Sequence, residues 1–349
     1  SCQRVVYDKS HFQAERLQLD NWRDLEKFTL SKALQSFDFT KPPMIYSAFV
    51  TIGNEYYWLL IMHHIISDVS SGFILTQQVQ AQYLGLPSYP YHCYDEYVQY
   101  EENRFKKIGD KAIDYISNHI KYHAPLAFSN EPMDARNSRT LVLTFDEEVT
   151  RKLHHLSDNY HYSFHTLFSL PLYLAHYKLT NQSRSFMAIP VSERRNAVLK
   201  ETPGFISGPM LIGLEMNDSD TISDLIKRTQ KHFMNGLRYY LPLGRYRHLI
   251  NCNYRVMFNV FDYRAWERED SELNMVHQLM VAPNTMQLEL FWVVFTYRDK
   301  IEMVIHYDRA CLGSAEMHDV ANSYRHYLLT LLDESNLSLT LGAIDVGKN

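Results

Sequence analysis

Two adjacent histidines and a nearby aspartate are the residues of this sequence best suited to chemistry. They are His63, His64 and Asp68, in the string MHHIISD at 62–68. A neutral imidazole accepts a proton near pH 7, because its unperturbed pKa is about 6.5, so such a histidine can serve as a general base. Successive side chains of a strand point to opposite faces. Only one of the two histidines can therefore share a cavity with a substrate, while the other packs elsewhere.

The motif lies between a predicted strand and a predicted helix. Residues 56–62 (YYWLLIM) are aromatic and apolar, as expected of a strand. With residues 44–52 they flank a Gly-Asn pair at 53–54, which predicts a β-hairpin whose second strand ends at the motif. Residues 73–84 predict the helix that follows. The apolar residues that recur on one face of this helix are Leu75, Val79 and Tyr83.

A second histidine pair carries no predicted chemistry. His154 and His155 precede Asp158 in a string one residue shorter than the first, inside a predicted helix at 147–157. Its apolar stripe leaves both histidines on or near a solvated face.

Length and composition exclude several classes of function. The chain has 349 residues, 46% of them hydrophobic, which favours two domains or lobes, each with its own core. A net charge of -5 without a basic run argues against nucleic acid as a partner. No apolar run approaches the ~18 residues of a membrane span, and we expect no signal peptide. We therefore predict a cytoplasmic protein without a membrane partner.

The cysteines predict free thiols and no metal site. Their spacing lacks any CxxC pair and any histidine at the separation of a metal ligand. The four are Cys2, Cys93, Cys252 and Cys311.

Strands and helices alternate in both halves, which predicts an α/β class with a mixed sheet in each lobe. A helix after Asp95 is predicted to break near Gly109. Residues 128–139 are polar and aperiodic, and we predict that they link an N-terminal lobe (1–127) to a C-terminal lobe (140–349). The second lobe is predicted to have strands at 141–145, 185–191, 255–260, 288–295 and 301–305, and helices at 147–157, 164–179, 221–237 and 314–332.

The motif and several other strings resemble the condensation domains of nonribosomal peptide synthetases, within the chloramphenicol acetyltransferase-like superfamily. HHIISD matches the HHxxxD signature of that superfamily. In chain order, the other similar strings are FDF (37–39), IPVSER (189–194), PGFI (203–206) and IHYD (305–308). The sequence departs from the family at Val69, where a glycine is usual, and at Gly208, where an asparagine is usual. The family's first strand, helix and strand have no counterpart before Val5, so the N-terminal lobe is expected to lack them.

This resemblance implies a fold and a reaction. Two acetyltransferase-like lobes would meet in a V, each a mixed sheet with flanking helices, with an active-site tunnel between them. The implied reaction joins an acyl or peptidyl thioester to an amine acceptor, in nonribosomal peptide or hybrid natural-product biosynthesis. Donor and acceptor carrier proteins would present the substrates on phosphopantetheine, neighbouring synthetase modules would be partners, and the chain would bind no cofactor of its own.

The resemblance also implies roles for individual residues. His64 would be catalytic and face the tunnel, as a general base or as the group that orients the amine, and His63 would pack behind it. Asp68 would form a salt bridge with Arg194, for which Arg195 competes. The residues implied to lie near the substrate tunnel are Ser67, Val69, Ser70 and Gly208.

Two other functions stay open at this point. One is a catalytically silent module that recruits a carrier or partner protein. The other is a free-standing acyltransferase that esterifies or amidates a small soluble acceptor.

Overall fold

The computed structural model describes residues 12–87, 92–134, 137–250, 252–264 and 288–344. Within these ranges the chain forms two compact units. The first unit comprises the described residues up to 100 together with 193–207, and the second comprises 101–192 and the described residues from 208 onward.

The first unit contains a three-stranded mixed sheet. Its strands are β1 (Glu15–Leu19), β2 (Ile45–Ile52) and β3 (Glu55–Met62). Strand β2 pairs parallel to β1 and antiparallel to β3, and Ile52 lies opposite Glu55 across the Gly-Asn turn. The predicted hairpin is therefore confirmed. The helices of this unit are α1 (Trp22–Ala33), α2 (Val69–Tyr83), the first residues of α3 (Tyr94–Ile120) and the short α6 (Ala197–Lys200).

The apolar residues that recur on one face of α2 are not its buried face. Val79 and Tyr83 are exposed, whereas the buried residues are Ser71, Phe73, Ile74 and Ala81. At the start of the helix, the amide of Ser71 donates to Asp68 and its hydroxyl donates to the carbonyl of Gly204. The helix therefore buries a face that carries polar contacts, which the apolar periodicity does not register.

The second unit is built on a seven-stranded mixed sheet. Its strands are β4 (Ala124–Pro125), β5 (Ser138–Phe145), β6 (Arg184–Ser192), β7 (Ser207–Glu215), β8 (Val256–Asp262), β9 (Leu290–Thr296) and β10 (Ile301–Asp308). They lie in the order β4-β6-β8-β9-β10-β5, and β7 pairs with β6. The sheet carries α4 (Glu147–Tyr160), α5 (Phe164–Thr180), α7 (Ile222–Arg238) and α8 (Ser314–Leu332). Both units mix strands with helices, so the predicted α/β class is confirmed. None of the helices in the described ranges is long and apolar enough to cross a membrane.

The compact units divide at a different place from the predicted linker. Helix α3 runs unbroken through Gly109, because its apolar residues Ala112, Ile116 and Ile120 are buried in the second unit and outweigh one flexible residue. The change of unit falls within this helix, between residues 100 and 101. The segment predicted as a linker packs on the second unit as far as it is described.

Buried carboxylates hold that segment. The amide of Phe128 donates to Glu289 at 2.6 Å, and the amide of Asp134 donates to Asp308 at 2.5 Å. The cysteines Cys93, Cys252 and Cys311 are free thiols, and Cys2 lies outside the described residues.

Three histidines of the second unit surround Gly213 on β7. His119 Nε2 accepts from the amide of Gly213 at 3.0 Å, and His232 Nδ1 donates to its carbonyl at 2.9 Å. Burial lowers the pKa of His119 to about 3, and His232 and His123 add to the shift. The pKa values of those two neighbours are lowered by burial as well.

We predict that these histidines make folding stability depend on pH. The unfolded chain binds a proton below about pH 6.5, whereas folded His119 stays neutral to about pH 3, so the free energy of unfolding falls as the pH drops through that window. His119→Gln should remove one such group. The free energy of unfolding of His119→Gln minus that of wild type should therefore increase by about 2 kcal/mol as the pH falls from 6.5 to 5. Urea denaturation at each pH measures both values. His248→Gln, at an exposed position, is the control. Parallel pH curves for His119→Gln and wild type would contradict the prediction.

Candidate active site

His63 holds the motif loop against the sheet. Its amide, directly after β3, donates to the carbonyl of Met44 at 3.1 Å. Its half-buried ring packs edge-on against Phe37 and Phe39, with ring centroids 5.7 and 4.9 Å away. The amide of Ile65 donates to Nδ1 at 3.0 Å, so the neutral ring carries its proton on Nε2.

His64 has the opposite arrangement. Its exposed ring places Nδ1 2.7 Å from the carbonyl oxygen of Ser67. A carbonyl can only accept, so Nδ1 carries the proton and the neutral ring keeps its lone pair on Nε2. Among the described residues, no side chain or backbone group hydrogen-bonds to that Nε2. Ser67 itself is buried, and its hydroxyl donates to the carbonyl of His63 at 3.2 Å.

Asp68 caps the N-terminus of α2 and forms a buried ion pair. Its Oδ1 accepts from the amide of Ser71 at 3.0 Å, and its Oδ2 lies 2.6 Å from Arg194 Nη1. The amide of Ile206 donates to the same Oδ2 at 3.1 Å. The two charged side chains are only 4% and 6% exposed. The family resemblance implies this ion pair, and it is Arg194 rather than the exposed Arg195 that forms it.

Arg194 and Ser71 extend the ion pair into a network. Arg194 Nη2 donates to the carbonyls of Thr202 and Gly204 at 3.1 and 2.9 Å. The amide of Gly204 in turn donates to the hydroxyl of Ser71 at 2.9 Å. We call Asp68, Ser71, Arg194 and Gly204 the polar cluster.

The backbone conformation of Gly204 strongly favours glycine. Its φ is +144°, which side chains rarely adopt, and a Cβ there would collide with the ring of Tyr94. The neighbouring Phe205 packs edge-to-face on His64, with centroids 4.9 Å apart and planes at 67°. Sequence reasoning missed Ser71 and did not single out Gly204 or Phe205. The D-x-x-S spacing of a helix cap at 68–71 was a signal for Ser71.

The remaining predicted candidates are spread over both units. Val69 and Ser70 are the first two residues of α2 and are half-buried. Gly208 lies on β7 in the second unit, where a Cβ would collide with the hydroxyl of Tyr240. An asparagine side chain at Gly208 would therefore require the Tyr240 hydroxyl to move.

The second histidine pair lies on α4, as predicted. His154 packs beside Phe164 with centroids 5.7 Å apart, and burial lowers its pKa. His155 is exposed, with Nδ1 3.3 Å from Glu334. No group of three or more metal-ligating side chains is found in the part of the chain that the structure describes.

The condensation domain model matches residues 1–340 of this sequence. The chain belongs to the condensation domain family. It is 20% identical over 332 residues to bacitracin synthase 1 of Bacillus licheniformis, and the match covers 90% of this chain but 6% of that synthase. Nonribosomal peptide synthetases are therefore its relatives, and the chain spans less than a tenth of the length of bacitracin synthases 1 and 2 and surfactin synthase subunit 2.

Solved condensation domains share the fold. The starter condensation domain of rhizomide synthetase, in complex with C8-CoA, aligns with a TM-score of 0.78 at 14% identity, over 97% of this chain and 81% of that one. The X-domain from teicoplanin biosynthesis, in complex with OxyB, aligns with a TM-score of 0.78 at 15% identity, over 98% and 81%. This condensation domain therefore has the acetyltransferase-like fold that the motif implies.

We predict that breaking the buried ion pair costs much more than breaking an exposed one of equal length. Asp68→Ala leaves Arg194 charged and buried, so the free energy of unfolding should fall by about 3–5 kcal/mol. Arg184→Ala is the matched control, because Arg184 lies 2.6 Å from Glu215 with both side chains more than 40% exposed, and it should cost at most about 1 kcal/mol. Urea denaturation measures both. Equal losses of unfolding free energy in the two variants would contradict the prediction, because burial would then add nothing to the cost of breaking the ion pair.

A second prediction compares two glycines of the first unit. Gly204→Ala should lower the free energy of unfolding by about 2 kcal/mol or more, because of its φ and the ring of Tyr94. Gly72→Ala lies inside α2 with open space around the new Cβ, and it should be neutral or stabilise by about 0.5–1 kcal/mol. Thermal melting of both variants checks the contrast, and a destabilised Gly72→Ala with an unaffected Gly204→Ala would refute it.

Proposed function

We propose that this condensation domain joins an acyl or peptidyl thioester, carried on the phosphopantetheine of a carrier protein, to an amine. The observation that carries the proposal is the hydrogen bond from His64 Nδ1 to the carbonyl of Ser67, at 2.7 Å. That bond selects the tautomer whose Nε2 lone pair points away from the backbone. An imidazole in this state can take a proton from a nucleophile.

In the proposed reaction His64 first accepts a proton and then donates it. As the amine nitrogen attacks the thioester carbonyl, a C–N bond forms and Nε2 of His64 accepts the proton that the nitrogen releases. When the tetrahedral intermediate collapses, the C–S bond breaks and the same proton passes from Nε2 to the departing sulfur. The carbonyl dipole of Ser67 stabilises the imidazolium between these steps. General acid–base catalysis of this kind is worth ~10²–10⁴-fold in rate.

The relatives support a thioester donor and carrier partners. The rhizomide starter domain was solved in complex with C8-CoA. Bacitracin synthase 1 is far longer than the segment that matches this chain. We therefore propose donor and acceptor carrier proteins and neighbouring synthetase modules as partners, and no cofactor bound by this domain itself.

The proposal is tested by substituting histidines one at a time. His64→Ala should lose at least ~10²-fold in turnover while melting near the wild-type temperature, because its ring is exposed and serves the reaction. His63→Ala should lower the melting temperature, because its half-buried ring packs between two phenylalanines. His155→Ala, in the second histidine pair, should match wild type in both respects. Mass spectrometry of a loaded carrier with candidate amines measures turnover. A His64→Ala protein with wild-type turnover would remove the assignment.

A recruiting module is the second candidate. The X-domain of similar fold was solved as a complex with OxyB, and Val69 replaces the usual glycine beside the motif. If wild type forms no product with any loaded carrier, yet co-purifies with a carrier or another synthetase protein, this second function replaces the first. Product from an acyl coenzyme A and a soluble amine or alcohol, without any carrier, would instead indicate a free-standing acyltransferase.

A further inference from the structure

We propose that Phe205 is a positioning residue that fixes the plane of the His64 ring. The inference rests on the proposed function, in which Nε2 of His64 must point at the attacking nitrogen. Phe205 contacts His64 edge-to-face, with centroids 4.9 Å apart. Both residues belong to the first unit.

A single hydrogen bond does not fix an imidazole. The bond from Nδ1 to the carbonyl of Ser67 restrains one atom of the His64 ring, and the geometry of a hydrogen bond still tolerates changes in the side-chain torsions χ1 and χ2. Turning moves Nε2 away from any fixed direction. An aromatic ring at 67° to the imidazole opposes that rotation, because edge-to-face packing has a preferred geometry.

The polar cluster holds Phe205 in place through its backbone neighbours. On one side, the amide and carbonyl of Gly204 bond to Ser71 and Arg194. On the other side, the amide of Ile206 bonds to Asp68. The carbonyl of Phe205 itself accepts from the hydroxyl of Tyr94 at 2.9 Å. This backbone is therefore tethered at three successive residues.

The ring of Phe205 is not there to fill a core. The residue is 39% exposed, so burial alone does not account for its placement. A tightly held backbone that presents a partly exposed aromatic ring to a catalytic histidine is the arrangement expected of a positioning group.

The kinetic test uses three substitutions at this position. Phe205→Ala should lower kcat about tenfold or more with KM within about twofold, because the base is misaligned while binding surfaces remain. Phe205→Leu keeps the apolar bulk and guards against a folding defect, and it should also be slow. Phe205→Tyr keeps the ring and should restore kcat to within about twofold of wild type. Phe49→Ala, at a 54% exposed position on β2, is the control and should match wild type.

The spectroscopic test does not need turnover. In protein with ¹⁵N-labelled histidine, the signals of His64, assigned by their loss in His64→Gln, should show the Nδ1–H tautomer and ring-proton shifts caused by the Phe205 ring. In Phe205→Ala those shifts should disappear and the tautomers should mix, whereas Phe49→Ala should leave them unchanged.

The two tests together separate the possible results. A slow Phe205→Ala enzyme in which His64 keeps the Nδ1–H tautomer would overturn the proposal, because Phe205 would then act on the substrate directly. An unchanged tautomer overturns it whatever the kinetics, since the ring-proton shifts change on loss of the Phe205 ring alone. If wild type makes no product, the proposed function fails, and mixed His64 tautomers in Phe205→Ala still support the positioning role.

Discussion

Two opposite charges buried in the first unit constrain everything around the motif. Asp68 and Arg194 are both almost fully removed from water, so each must find partners inside the protein or cost several kcal/mol. The carboxylate meets that need with its helix cap, the guanidinium and one backbone amide, and the guanidinium adds two carbonyls. Those partners fix the start of α2 and the course of residues 202–206.

This constraint gives the two motif histidines different chemistry. In their neutral forms, His63 carries its ring proton on Nε2 and His64 carries its ring proton on Nδ1. The difference arises because a backbone amide faces the Nδ1 of His63, whereas a carbonyl faces the Nδ1 of His64. The sharp turn from β3 into α2 places both of those backbone groups. The loop conformation therefore specifies a base at one position and a packing residue at the other, with no carboxylate acting on either ring among the described hydrogen bonds.

Local patterns predicted the parts of the fold whose causes are local. The hairpin followed from its Gly-Asn turn, and α8 from its apolar periodicity. Strand β7 was missed because Gly208, Pro209 and Gly213 interrupt its sequence, and its place beside β6 is decided by pairing. Periodicity did not identify the buried face of α2, because that face carries polar contacts of Ser71, which an apolar pattern does not register.

The residues of the candidate site likewise include some that the sequence predicted and some that it did not. The motif string marked His64 and Asp68, and the family resemblance supplied Arg194, which lies far away in sequence. Composition and spacing gave no reason to join Gly204 or Phe205 to the motif. Their importance depends on a backbone conformation with φ of +144° and on a ring contact, and both exist only once the chain has folded.

The order in which the ribosome makes the chain gives the polar cluster a further consequence. Asp68 is made 126 residues before its partner Arg194, and strands β7, β8, β9 and β10 of the second unit are made only after Arg194. Throughout that interval the carboxylate lacks Arg194, and the start of α2 lacks the segment at 202–206 that bonds to it. A nascent chain that stops between residues 100 and 193 carries an unfinished first unit, with apolar strands open to chaperones and to aggregation. The described residues up to 100 therefore need residues 193–207 to complete the first unit, and they are not a unit of synthesis on their own.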